Sequence, residues 1–170
     1  MSNQARIMRL NQEIWRKDAN VSWLVTQNVT YRNQIDECGQ SIYELEKQLE
    51  DILERRKAMD SKLIELEALT EGEGSPMGRI QLVEAGLLES KVLNRIQESI
   101  MEVRNTQERA IIRMKAAVND MDRKANQIEE RIEERQAKQL HLNQLLSTNQ
   151  ANIQRLKYEI TVARQTIRTL

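Results

Sequence analysis

The chain has little of what builds a catalytic site. Among its 170 residues there is no Phe, and there are only two Trp, three Tyr, one His and one Cys. With a single His and a single Cys, the chain excludes a zinc site made from these ligands, an internal disulfide framework and most nucleophile–base pairs. No cofactor and no metal are therefore expected, and we predict that the protein is not an enzyme.

Long apolar runs are also missing. The opening residues Met-Ser-Asn-Gln-Ala-Arg do not form the apolar stretch of a secretory signal. No stretch reaches the roughly 18 apolar residues of a membrane span. The lone Cys38 fits a reducing compartment, where disulfides are rare. These features favour a soluble, cytoplasmic protein.

What the chain has in abundance is charge, at 31% of residues, and a heptad repeat. With heptad positions lettered a to g and Ile7 at a, fifteen of the eighteen a and d residues between 7 and 66 are apolar. With Ile111 at a, residues 111–170 give the same fraction. Three or four such heptads already indicate a coiled coil, so two long helices are predicted to pack along this seam of a and d positions. A shifted frame between the two repeats places Ile96 and Val103 on the seam.

One short segment interrupts the helical pattern. Residues 70–78 contain three of the five Gly and the only Pro, and Gly ends helices whereas Ser-Pro starts them. This predicts a first helix over about 4–70, a turn at 71–75 and a second helix over about 76–146. Because a short turn favours antiparallel packing, the predicted fold is all-α, a long antiparallel helical hairpin of coiled-coil type. It would form a single elongated domain over 1–170.

Under this prediction the second helix is too long for the first. A fold-back centred on Gly74 pairs residues whose numbers add to about 148, which leaves 142–170 without a partner on the first helix. The apolar stripe of residues 142–170 must still be buried against another helix. We therefore expect the C-terminal segment, about 150–170, to form a third helix, or to continue the second helix and pair with another chain.

Charge is distributed unevenly along the neutral chain. Residues 1–34 carry a net charge of +3, residues 35–75 carry −7, residues 76–134 carry −1 and residues 135–170 carry +5. A hairpin brings the two basic segments together at its open end. Such an end could attract an acidic protein, nucleic acid or anionic membrane, or the acidic part of a second copy.

Several side chains are candidates for binding partners. Trp15 and Trp23 lie off the seam, so they either dock another protein or form the core of a three-helix end. Asn28 and Asn149 are polar residues at seam positions, where Asn can specify register and oligomer state or be tolerated with water. The basic candidates at the open end are Arg6, Arg9, Arg16, Arg155, Lys157, Arg164 and Arg168.

The function expected from these features is non-catalytic. We predict a structural or adaptor protein that binds other proteins or itself through coiled-coil surfaces, as a spacer, stalk, chaperone-like clamp or assembly subunit. It would work as a homo-oligomer or in a hetero-complex. The alternative is a protein that binds an anionic membrane surface or nucleic acid through the basic open end. Affinity that falls steeply with salt would distinguish this alternative.

Overall fold

The computed structural model describes residues 3–70 and 91–170, with side chains for all of these except 91–94. It contains two helices, α1 at Asn3–Thr70 and α2 at Lys91–Arg168, which pack against each other. Within the described residues there is no strand. The predicted all-α helical hairpin is confirmed. The predicted turn at 71–75 and the predicted start of the second helix at Pro76 lie outside the described residues.

Burial follows the predicted heptads. Every buried residue in the described part of the chain occupies an a or d position of the two repeats. They are Ile14, Leu24, Asn28, Cys38, Leu45, Leu63, Val118, Ala125, Ile128, Ile132, Leu142, Leu156, Ile160 and Ala163. Since the a and d residues share one side of a helix, each helix turns a single apolar stripe toward its partner. Residues that flank the stripe, such as Gln34 and Leu145, are half-buried, and the outer positions stay in solvent.

The pairing of the helices differs from the prediction. Contacts between α1 and α2 join Ile35 to Gln139, Lys17 to Glu159 and Asp18 to Arg164. Two more join Arg56 to Asp122 and Glu67 to Lys115. The residue numbers of these pairs add to between 174 and 182, so the predicted sum of about 148 is wrong.

The C-terminal residues do not form a third helix. α2 continues without interruption through residues 146–150 and ends at Arg168. Ile160 and Ala163 are buried against Ile14, with Leu10 and Ile167 packed beside them. The apolar stripe of 142–170 is thus covered by α1 of the same chain. The expected third helix is wrong, whereas the expected continuation of the second helix is confirmed. Burial against α1 takes the place of the pairing with another chain that we expected for this stripe. The register is set by seam residues that bury one another, whereas the prediction took it from the Gly and Pro positions.

The chain divides into two compact units. The first joins Met1–Leu45 to Arg131–Leu170, and the second is Glu46–Glu130. Among the residues whose burial is described, the first unit has the larger share of the buried ones, and the hydrophobic cluster around Ile14 belongs to it.

The shifted frame between the repeats is correct only in part. Ile96 and Val103, predicted on the seam, are 49% and 50% exposed. Gln97, Ile100 and Gln107 are half-buried instead. Ile100 and Gln107, the a positions of that frame, therefore lie on the inner side of α2. Ile96 and Val103, its d positions, face outward.

Candidate protein-docking surfaces

The first unit brings the predicted basic residues of both helices together. The pair Asp18–Arg164, at 3.2 Å, holds the basic end of α2 alongside the basic start of α1. Arg155 lies 3.8 Å from Glu159 on its own helix. All seven basic candidates are exposed: Arg6, Arg9, Arg16, Arg155, Lys157, Arg164 and Arg168. The first unit carries a net charge of +4 and the second −4.

Both tryptophans lie in solvent. Trp15 is 74% exposed and Trp23 is 57% exposed, because they occupy heptad positions b and c, away from the seam. The idea that they form the core of a three-helix end is wrong, since the C-terminal stripe packs on the seam side of α1. Large aromatic side chains left exposed in this way are typical anchors of protein interfaces.

The surface around Trp23 is uncharged. No Asp, Glu, Lys or Arg occurs between residues 19 and 31 of α1. The hydroxyls of Ser22, Thr26 and Thr30 donate hydrogen bonds to the carbonyls four residues earlier, at 3.1, 3.1 and 3.3 Å. These hydroxyls are satisfied within the helix, so they make the surface less polar than their residue types suggest. Val25 and Val29, at heptad positions e and b, are about half exposed next to each other, on the other flank of the seam from Trp23.

An uncharged stretch of α2 lies level with this part of α1. Residues 139–154 also lack Asp, Glu, Lys and Arg. The observed pairing places 147–154 opposite 24–31. We call the two stretches, 19–31 and 139–154, the Trp23 band. In a chain with 31% charged residues, this band is the weakly charged part of the first unit.

A second surface surrounds Trp15. An open groove runs along α1 beside the seam, with Met8 66% exposed and Trp15 at its end. Its lining residues are Gln4, Ile7, Met8, Asn11, Gln12, Trp15 and Arg16. We call this surface the Met8–Trp15 groove. It combines an apolar floor with neutral amides and one basic residue, Arg16, a composition that suits an apolar partner segment with acidic side chains.

The two asparagines predicted to specify register lie at one level of the seam. Asn28 is 8% exposed, and its Oδ1 accepts no hydrogen bond from the described residues. Asn149 is half-buried at a d position of α2. The pairing of the first unit places the two asparagines opposite each other. A polar layer favours the one register that keeps its members together, and the role of both residues stays a prediction.

A basic seam residue in each unit links the two helices. Lys17 bonds Glu13 at 2.6 Å and Glu159 of α2 at 2.9 Å. Arg56 bonds Asp60 at 3.1 Å and Asp122 of α2 at 2.6 Å. The cross-helix partners could be found from the sequence only with the correct register.

These ion pairs shift the acidity of their members. Hydrogen bonds from Lys17 to Glu13 and then Glu159 raise the pKa of Lys17, and the same bond with Lys17 lowers the pKa of Glu13. The hydrogen bond to Asp122 raises the pKa of Arg56. All three groups are therefore held in their charged forms near neutral pH, which suits a structural role and not proton transfer.

Cys38 is the least exposed of the buried residues, at 2%, and its thiol is free. It behaves as a small apolar residue of the seam. Next to it, Gly39 leaves room for Gln139, whose Nε2 lies 3.7 Å from where a Cβ at position 39 would stand. Gln139 donates a hydrogen bond of 3.5 Å to the carbonyl of Ile35.

Neither helix, over its described residues, has an apolar stretch long enough to cross a membrane. The same residues contain no group of three or more His, Cys, Asp or Glu side chains placed to hold a metal ion.

The comparisons with known proteins do not indicate a function, so function is argued from the surface chemistry. The chain matched no protein-family model, no curated protein and no solved structure. The exposed tryptophans, the Trp23 band and the Met8–Trp15 groove are therefore the features from which function is argued.

Proposed function

We propose that the protein is a non-catalytic adaptor or structural protein that binds other proteins, or itself, through the outward faces of a coiled-coil hairpin. The observation that supports this is the Trp23 band, where Trp23, Val25 and Val29 are exposed on an uncharged surface. Large apolar side chains exposed on an uncharged stretch of an otherwise highly charged protein are typical of an interaction site. We further propose a cytoplasmic location, which the free thiol of Cys38 suits.

The seam and the outward face have separate tasks in this proposal. The seam residues stabilise the hairpin by packing against each other, so they are not accessible to a partner. The b and c positions of α1 are not used for folding, yet they carry both tryptophans. Because an exposed Trp contributes no packing to this seam, we propose that both tryptophans bind a partner.

The alternative of an anionic membrane or nucleic acid as partner draws support from the exposed arginines. Arg16 and Arg168 have no ion-pair partner among the described residues. Phosphate binding, however, depends on dense positive charge, and the Trp23 band has none. The protein-binding function is therefore the one we favour.

Site-specific photo-cross-linking tests the proposed function. A photoreactive amino acid replaces Trp23 in the full chain, and Tyr158, which is 71% exposed on α2, is replaced in the control. We expect discrete protein adducts from position 23 that are absent from position 158. The proposal fails if both positions give the same adducts, or if position 23 gives none while the chain binds anionic vesicles or nucleic acid with steep salt dependence.

A further inference from the structure

A second open groove lies on α1 in the other unit and has the opposite charge. It is lined by Glu46, Leu49, Glu50, Leu53, Glu54 and Lys57. These residues occupy the same heptad positions as those of the Met8–Trp15 groove, six heptads further along the sequence. We call it the acid-rimmed groove. The repeat has thus produced two surfaces of the same local form and opposite charge.

The positive charge of the Met8–Trp15 groove comes from both helices. Arg164 of α2 bonds Asp18 on this side of α1, which places it near Trp15. Arg168 follows one turn later on α2. Arg164 is already paired, but Arg16 and Arg168 are exposed and have no ion-pair partner in the described residues. Two arginines beside the groove are therefore free to meet carboxylates of a partner.

The acid-rimmed groove has the matching set of free groups. Glu46, Glu50 and Glu54 are exposed, and none of them has an ion-pair partner within the described part of the chain. Leu53 lies among them and is 45% exposed. The arrangement is again an apolar centre with charge around it, here three glutamates and one lysine, Lys57.

We propose that the Met8–Trp15 groove of one copy of this chain binds the acid-rimmed groove of a second copy. Trp15 and Met8 would be covered by Leu53 and Leu49, and the unpaired arginines would meet the unpaired glutamates. Contact between two grooves of the same kind is disfavoured because it brings like charges together. The contact therefore joins two different surfaces, and it rests on the proposed function as a protein-binding hairpin.

Charge reversal with complementation tests this proposal. One variant is Arg16→Glu with Arg168→Glu, and the other is Glu50→Lys with Glu54→Lys. We expect the wild-type chain to show a concentration-dependent mass above 19.9 kDa in sedimentation. Each variant alone should associate about tenfold more weakly or worse. An equal mixture should associate again, because one variant keeps a basic groove and the other keeps an acidic one.

A matched control separates the grooves from general charge effects. Glu37→Lys with Glu44→Lys makes the same charge change at exposed positions outside either groove, and it should associate like the wild type at equal ionic strength. Circular dichroism should give equal helicity for all variants.

The proposal is overturned if the wild-type chain stays monomeric at submillimolar concentration and low salt. It is also overturned if mixing the two charge-reversal variants does not restore association. The same holds if the control variant associates as weakly as the charge-reversal variants do. A monomeric chain that pellets with anionic vesicles would assign the basic groove to a lipid surface instead. A monomeric chain that still gives adducts with another protein from position 23 would overturn only the self-association and leave the proposed function standing.

Discussion

The two units of the chain have similar interiors and opposite surfaces. Each has an aliphatic heptad seam with a basic residue that bridges the two helices, Lys17 in the first unit and Arg56 in the second. Each of these residues links two carboxylates, one on its own helix and one on the other. The first unit has a net charge of +4 and the second −4. The interior explains why the chain folds, and the differences between the surfaces are where binding function is to be sought.

Of the seam residues that the structure describes, the first unit also has more polar ones. Asn28, Gln139 and Asn149 all lie at its a and d positions. Such residues reduce stability but disfavour alternative registers, because a shift would place them against apolar side chains. A heptad repeat alone cannot distinguish registers that differ by whole heptads. We predict that the polar layer of the first unit supplies that distinction.

The largest expected effect comes from placing a charge in the seam of the first unit. Leu142 is 5% exposed and Leu140, two residues away, is 62% exposed. Leu142→Asp should lower the free energy of unfolding by about 4 kcal/mol, because it buries an unpaired carboxylate. Leu140→Asp should change it by about 0.5 kcal/mol or less. Urea unfolding followed by circular dichroism measures both, and equal losses would contradict the seam.

The sequence predicted the helices and the seam because burial follows a period that the chain repeats over many turns. It did not predict the pairing, since Gly72, Gly74 and Pro76 were taken to centre the fold-back. Leu142, Leu156 and Ile160 were thereby left without a partner that α1 in fact supplies. The positions of Trp15 and Trp23 on the outer side follow from the heptad letters. Their exposure depended on the pairing, and so it could not be derived from the sequence alone.

The polar layer should show its effect when it is removed. Asn28→Leu with Asn149→Leu should raise the free energy of unfolding by about 1 kcal/mol or more, because apolar seam residues replace amides. It should also broaden the distance distribution between spin labels on the two helices of the first unit. Pulsed electron spin resonance measures that width. A variant that is more stable and has an unchanged narrow distribution would show that the asparagines do not specify register.

A smaller gain in stability is expected at Gly39. A Cβ added there would meet only Nε2 of Gln139, at 3.7 Å, which is ordinary van der Waals contact. Gly39→Ala should therefore raise the free energy of unfolding by about 0.5–1 kcal/mol, the usual difference within a helix. Thermal unfolding checks this. A clear loss of stability would mean that the approach of Gln139 is tighter than its distance indicates.

The smallest effect concerns the ion pairs of Lys17. The pKa of Lys17 is raised above 10.5, so its contribution to stability is complete below pH 10.5 and is lost as pH rises through the folded value. The pKa of Glu13 is lowered below 4.5, so its contribution is present above pH 4.5 and is lost as pH falls. The difference in melting temperature between wild type and Lys17→Gln should be constant between these limits and shrink outside them. A difference that grows at either extreme would contradict this assignment.

One distance tests most directly the claim that residues 142–170 pack on α1 and leave the tryptophans open. Spin labels replace Val25 and Gln150, both exposed e-position residues of the first unit, with Cys38 changed to Ala. Because packed helix axes are 8–10 Å apart, the account predicts a single distance of about 10–20 Å. Pairing centred on Gly74 would separate the same labels by about 40 Å along the helix. That longer distance would contradict both the register and the exposed face from which the binding function is argued.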